Sequence, residues 1–233
     1  MSPLSYKSYL ETLSKISRAI TSDLYLEDIL KLIVNLTANV MSAKICALWL
    51  LDKEAQMLKI RATQAISQEY LEERTLAVGE GVVGAVARDK KPMVIENVLK
   101  NRLYKEKQMA RKLGLKSMLS VPMMVKNKVI GVINLYTTEI YKFTRNDIRL
   151  LTTVANQAAV AIENTELLVK TKIVQEELEA RKKIEKAKGI LMKENNHTEE
   201  EAYSIIRKSS MDKRMPMKEI AEAIILSSEI RAG

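Results

Sequence analysis

Residues 144–194 contain no proline, and their only glycine is Gly189, near the end. Proline removes a helix hydrogen bond and clashes with the preceding turn, and glycine costs about 1 kcal/mol against alanine. A stretch this long and this free of both predicts one continuous helix, longer than a compact domain accommodates. Along it Leu151, Ala155, Ala158, Ile162 and Val169 follow a 3.5-residue seam, which fades at Lys172 and Glu176 and resumes with Leu178 and Ile184. That pattern predicts a coiled-coil rod joining two domains and pairing with a second copy, so a homodimer, with Ile162 and Val169 near its axis. The 233-residue length suits two domains.

Before the rod, helical apolar spacing covers 4–20 and 26–41. Short apolar runs at 45–51 and 57–62 are separated by Asp52-Lys53-Glu54 and read as antiparallel strands. A glycine cluster at 79, 81 and 84 leads to a short helix and a strand at 92–95. Residues 117–125 and 129–137 form a hairpin around Lys126-Asn127-Lys128. Five or so strands with helices gathered before and after them predict an α+β fold with an antiparallel sheet. After the rod, Thr198 and Glu201 have capping-box spacing, and Met215-Pro216 opens a last helix. With 181–193 these predict an all-α three-helix unit.

The chemistry available is narrow. Cys46 and His197 are the only residues of their types, which excludes a disulfide framework and a multi-thiolate metal centre and argues against a Ser-His-Asp triad or a multi-histidine metal site. Cys46 lies in an apolar strand beside Trp49, as an inert buried thiol would, and His197 falls in a connector between helices. Most of the twelve methionines sit at apolar-pattern positions and fill core. These features predict a chain that is not an enzyme and carries no cofactor. Gly79, Gly81 and Gly84 fit GxGxxG, but only 82–90 is free for a crossover helix, too short for a βαβ unit; tight-turn glycines are the better reading. No apolar run approaches the ~20 residues that span a bilayer, and no charged-then-apolar leader opens the chain, so a cytoplasmic protein without membrane contact is expected.

The net charge of +9 is concentrated in two places. Residues 88–116 hold ten Lys/Arg against three acids, in an irregular pattern that predicts a solvated surface excursion, of the kind that lids a pocket. Residues 181–193 hold six against one. There Ile184, Ala187 and Leu191 share a packing face, while Lys182, Lys186, Gly189 and Lys193 share another, with the glycine leaving a gap suited to close approach of a partner. On the next helix Ala202, Ile205, Ile206 and Ser209 pack, and Tyr203, Arg207, Ser210 and Arg214 line the opposite side. Lysines for phosphate, an aromatic for stacking and arginine for either suit a folded or looped RNA. The competing reading is a DNA-binding regulator with a C-terminal helix-turn-helix. It is disfavoured because residues 217–228 offer one lysine and two glutamates where a recognition helix presents polar and basic groups.

Arg181, Ile184, Ala187, Lys188, Gly189, Ile190, Leu191 and Met192, followed by Ala202, Tyr203 and Arg207, closely resemble the ANTAR family of RNA-binding antitermination regulators. The resemblance implies binding of paired stem-loops in a messenger leader, with Arg181, Lys188, Gly189, Tyr203 and Arg207 as the matched positions; Lys182, Lys186 and Lys193 are added by the helical-face argument. Residues 22–168 resemble a GAF domain through Gly79–Gly84, the Leu119–Pro122 strand, Gly131–Leu135 and Phe143-Thr144 with Asp147. That resemblance implies a small-molecule pocket under the excursion at roughly 96–116, or an upstream signalling partner. Thr137-Thr138 stand where cyclic-nucleotide-binding members carry Asn-Lys, so a cyclic nucleotide is not implied. The resulting organisation is an N-terminal helix at 1–21, a GAF sensor at 22–168, a coiled-coil linker at 169–180 and an ANTAR domain at 181–233.

Overall fold

The computed structural model describes residues 6–20, 25–64 and 74–232. The expected first helix from Leu4 is therefore described only from Tyr6. The chain divides into an N-terminal unit, Met1–Thr165, and a C-terminal unit, Glu166–Gly233.

The N-terminal unit is built on a six-stranded antiparallel sheet. Its strands are β1 (Ile45–Asp52), β2 (Met57–Thr63), β3 (Thr75–Ala77), β4 (Met93–Ile95), β5 (Ser117–Val125) and β6 (Lys128–Thr137), in the order β3-β2-β1-β6-β5-β4. β3 was not foreseen: three residues are too few to show an alternation, and it is recognised only by its pairing with Met57–Lys59. Side chains alternate across a sheet, so the continuous apolar run of β1 supplies two cores. Cys46 and Leu48 face one side with Leu119, Val121, Ile133 and Leu135, against helices α1 (Tyr6–Ile20) and α2 (Leu26–Val40). Ala47 and Trp49 face the other, with Met118, Val132 and Tyr136, against helix α3 (Gly81–Asp89) and residues 96–116.

The basic excursion is thus less detached than its charge suggested. It includes helix α4 (Lys107–Leu113), and Val98, Tyr104, Ala110 and Leu115 are buried, while Lys100, Arg102, Lys105 and Arg111 remain exposed. Widely spaced apolar anchors fasten an irregular segment without creating a period to read. The glycine cluster serves turns: Gly79 and Gly81 have positive φ, a Cβ at Gly84 would overlap the Ala77 carbonyl, and Gly79 N–H donates to the Gly84 carbonyl at 2.8 Å.

Helix α5 (Arg145–Asn195) runs unbroken for 51 residues through both units. Its start is fixed by a reciprocal cap. Asp147 Oδ2 accepts from the Thr144 backbone N–H at 2.7 Å, the Thr144 hydroxyl at 2.8 Å and the Tyr141 hydroxyl at 3.0 Å, while Asp147 N–H donates back to Thr144 Oγ1. Burial, and then this bond to Asp147, raise the Tyr141 pKa above that of an ordinary phenol. Asp147→Ala leaves three donors without their acceptor and should cost about 2–3 kcal/mol, a fall of roughly 5–10 °C in Tm by thermal denaturation.

One expectation about this helix is corrected. Leu151, Ala155, Ala158 and Ile162 lie in the N-terminal unit's own core, each 1% exposed or less, whereas Val169 and Leu178 further along are exposed. A stripe that packs on a sheet and a coiled-coil seam drift apart by only ~20° per heptad, so two or three turns of spacing do not separate them. Ile162 therefore does not lie on a dimer axis.

The C-terminal unit comprises the end of α5, helix α6 (Glu199–Lys213) and helix α7 (Met217–Ala232). Ala187, Ile206, Ile220 and Ala221 form a small core, with Ile184, Leu191, Met217, Ile224 and Ile225 packed around it. The capping box at α6 is present: Thr198 N–H donates to Glu201 Oε2 at 2.8 Å, and Glu201 N–H donates to Thr198 Oγ1 at 3.3 Å. Arg214, in the left-handed region, ends α6. No helix among the described residues is long and apolar enough to cross a membrane.

Candidate nucleic-acid interface and sensor site

On α5 the core-facing side is set by Ile184, Ala187 and Leu191. Lys182, Gly189 and Lys193 fall on the opposite side at 100° per residue. Lys182 and Lys193 are exposed and, with Arg181, have no acidic partner among the described residues. Gly189 is exposed, and a Cβ placed there would meet nothing within 4 Å. No packing neighbour among the described residues explains a glycine at this helical position.

Two of the expected lysines are engaged. Lys186 Nζ reaches Glu229 Oε1 on α7 at 2.9 Å, with both side chains more than half exposed. Lys188 is 7% exposed; its ammonium sits 2.7 Å from Glu199 Oε1 and 3.0 Å from both Glu185 oxygens. Bonding first to Glu199 and then to Glu185 raises the Lys188 pKa, and Lys188 in turn lowers that of Glu199. Lys188 thereby ties α5 to the first turn of α6. On α6, Glu199, Tyr203 and Arg207 follow one another at four-residue spacing on one side, with Tyr203 44% exposed and Arg207 exposed without an acidic partner among the described residues.

The α7 side of α5 carries pairs that sequence reasoning missed. Lys183 pairs with Glu222, Lys218 with Glu179 at 4.0 Å, and Glu194 accepts from Ser228 and faces Arg231 at 3.5 Å. Lys218, Glu222 and Glu229, charged residues at four- and seven-residue spacing on this helix, were the available signal.

In the N-terminal unit the sheet face beneath 96–116 holds a second polar cluster. Trp49 and Asn134 are at most 1% exposed, and neither Trp49 Nε1 nor Asn134 Nδ2 has a hydrogen-bond partner among the described residues. The Ser120 hydroxyl donates to Asn134 Oδ1 at 2.6 Å. The Arg74 guanidinium lies over the Trp49 ring, 5.7 Å from its centre, pairs with Glu106 and approaches Met109 Sδ at 3.3 Å. The signal for this cluster was one polar residue, Asn134, inside an otherwise apolar strand. Cys46 lies on the other face of the sheet, and burial pushes its thiol pKa far above the ordinary value, so it stays protonated. His197 is partly exposed in the α5–α6 connector, 3.9 Å from Glu201.

Comparison with known families meets this geometry. The GAF domain family model matches residues 24–163, more than half of the chain. The chain belongs to the GAF domain family. The ANTAR domain family model matches residues 173–225, so the GAF domain is followed by an ANTAR domain. The GAF portion is similar to the methyl sulfide methyltransferase-associated sensor of Methanosarcina acetivorans, 25% identical over 158 residues, covering 66% of this chain and 16% of that protein. The ANTAR portion is similar to the transcriptional regulatory protein PdtaR of Mycobacterium tuberculosis, 42% identical over 50 residues, covering 22% of this chain and 24% of that protein. The chain thus spans at most about a quarter of the length of these curated relatives.

Among solved structures, the GAF domain of an Acinetobacter phosphoenolpyruvate-protein phosphotransferase aligns with TM-score 0.61 and 26% identity, covering 70% of this chain and 97% of that one. The GAF domain of the Coxiella burnetii phosphotransferase aligns with TM-score 0.63 and 22% identity, covering 70% and 98%.

Proposed function

We propose that this chain is a signal-responsive transcription antitermination regulator, not an enzyme, acting in the cytoplasm. Its ANTAR domain binds paired stem-loops in nascent messenger leaders, and its GAF domain senses a small molecule or a partner protein. The observation that carries the reading is the outward strip of α5, where Lys182 and Lys193, without an acidic partner among the described residues, flank a glycine at which an added Cβ would meet nothing within 4 Å. Cations beside a bare helix backbone suit phosphates that approach closely, and Tyr203 and Arg207 on α6 add a stacking ring and a second cation. Arg181 extends the same basic end, and Lys186 joins it where phosphate competes with Glu229 for its ammonium.

Lys188 has a different part in this reading: it positions α6, and so Tyr203, without touching RNA. Lys188→Met should lower the unfolding midpoint of the ANTAR domain and weaken RNA binding without changing its salt dependence, since no phosphate contact is lost.

A second copy pairs along α5 through a face displaced from the expected one. Val160, Asn164, Leu167, Thr171, Val174 and Leu178 follow alternating spacings of four and three residues, and the four apolar members are 42–63% exposed. The test of the function is competition between a two-hairpin leader RNA and a DNA duplex of equal length at one salt concentration. The RNA should win by well over tenfold, and equal affinity for the duplex would favour the DNA-binding reading.

A further inference from the structure

We propose that the covered face of the GAF sheet takes a small organic acid, its carboxylate held by Trp49, Asn134 and Arg74; this rests on the reading of the GAF domain as a small-molecule sensor. Two donors at most 1% exposed, the Trp49 indole N–H and the Asn134 amide NH2, have no acceptor. Buried donors are almost always satisfied, because the water they gave up must be replaced. Two on one face therefore indicate an acceptor that arrives from outside.

Their placement makes one ligand group sufficient. Trp49 pairs with Val132 across β1 and β6, and Ala47 pairs with Asn134. Trp49 and Asn134 are thus diagonal neighbours on the same sheet face, within reach of one another's side chains. The Ser120 hydroxyl occupies Asn134 Oδ1, which orients the amide and leaves its NH2 as the group offered to a ligand. The Arg74 guanidinium adds a third donor group over the indole ring.

The balance of donors and acceptors selects the chemistry. Trp49, Asn134 and Arg74 all donate, and one acceptor paired with Arg74 is the Glu106 carboxylate at the N-terminal boundary of α4. A carboxylate brings about four lone-pair sites and no donor, and it matches the guanidinium fork. A neutral amide brings N–H groups into a site already rich in them. An incoming carboxylate can replace Glu106 on Arg74, so the guanidinium keeps an anionic partner while Trp49 and Asn134 each gain the acceptor they lack. Val82, Val83, Val86 and Met118 belong to the same apolar core, so the remainder of the ligand meets apolar side chains. Displacement of Glu106, which is only about a quarter exposed, frees the start of α4 and gives the excursion a ligand-dependent anchor.

Trp49 is the only tryptophan, so its emission reads this site in the full-length protein. The probes are sodium acetate, butyrate and benzoate, with acetamide, butyramide and benzamide as neutral counterparts, at constant ionic strength. At least one acid should give a saturable change in emission, and its amide should bind at least tenfold more weakly. Arg74→Gln and Asn134→Leu should each weaken that acid tenfold or more with an unchanged circular dichroism spectrum. Should Asn134→Leu fail to fold, Arg74→Gln alone decides the result. The proposal is overturned if no acid gives a saturable change, if the amides bind as tightly as the acids, or if Arg74→Gln binds the acid like wild type. Tight amide binding would leave small-molecule sensing standing. Acid binding that leaves hairpin-RNA affinity unchanged would support the site and count against the sensing role.

Discussion

Leu167→Asp combined with Val174→Asp should halve the mass measured by light scattering and leave the GAF domain folded, whereas Ile162→Asp should unfold that domain. The three residues sit within thirteen positions of one helix, yet their surroundings differ completely. Leu167 and Val174 are 54% and 63% exposed in the single chain. A charge there costs the monomer little and places like charges across any paired helix, where hydrophobic contact would otherwise hold two copies together. Ile162 is 1% exposed and belongs to the same buried cluster as Ile33, Leu135, Val154 and Ala158. An unpaired aspartate at that position loses a buried side chain and desolvates a charge, at least 4–5 kcal/mol together, comparable to the whole stability of a marginal domain. A double variant that remains dimeric would move the interface off this face of α5. A folded, stable Ile162→Asp protein would contradict the packing described here.

Reversing charge at both free lysines, Lys182→Glu with Lys193→Glu, should weaken hairpin-RNA binding by roughly a hundredfold or more near physiological salt. Each substitution removes a phosphate contact and adds a repulsion, and tenfold per site corresponds to about 1.4 kcal/mol. The slope of log affinity against log salt should become shallower by about 1.4–1.8, from 0.7–0.9 per lost contact. Tyr203→Ala should cost roughly tenfold with the slope unchanged, since stacking releases no counterions. Because Lys182 and Lys193 are exposed and have no acidic partner among the described residues, the double variant should melt like wild type, which separates lost binding from lost fold. Wild-type affinity in both variants would show that RNA, if bound, lies elsewhere.

The parts of the architecture legible in the sequence were those written in local chemistry. The capping box at Thr198 and Glu201, the hairpin around Lys126–Lys128 and the unbroken helix past Arg145 each follow from a few neighbouring residues. What was not legible depended on partners distant in the chain. Lys188 looks like any lysine of a basic helix until Glu199, eleven residues on, closes over it. The stripe through Ile162 has a spacing that suits a sheet or a second helix equally well, and only the folded sheet decides between them. Trp49 and Asn134 are 85 residues apart, and nothing local announces that two strands bring both donors to one face without an acceptor.

The charges along α7 also determine which turn of that helix meets which turn of α5. Lys218 faces Glu179 and Glu222 faces Lys183, so the signs alternate along both helices at four-residue intervals. Sliding α7 by one turn in one direction would set Glu222 against Glu179; in the other, Lys218 would meet Lys183. Either slip of about 5.4 Å exchanges two attractions for a repulsion. The apolar contact between the helices, made largely of alanines and isoleucines of similar shape, would distinguish such neighbouring alignments poorly. The alternating charges act as a detent for the alignment of the two helices, even though each exposed pair adds at most about 1 kcal/mol to stability.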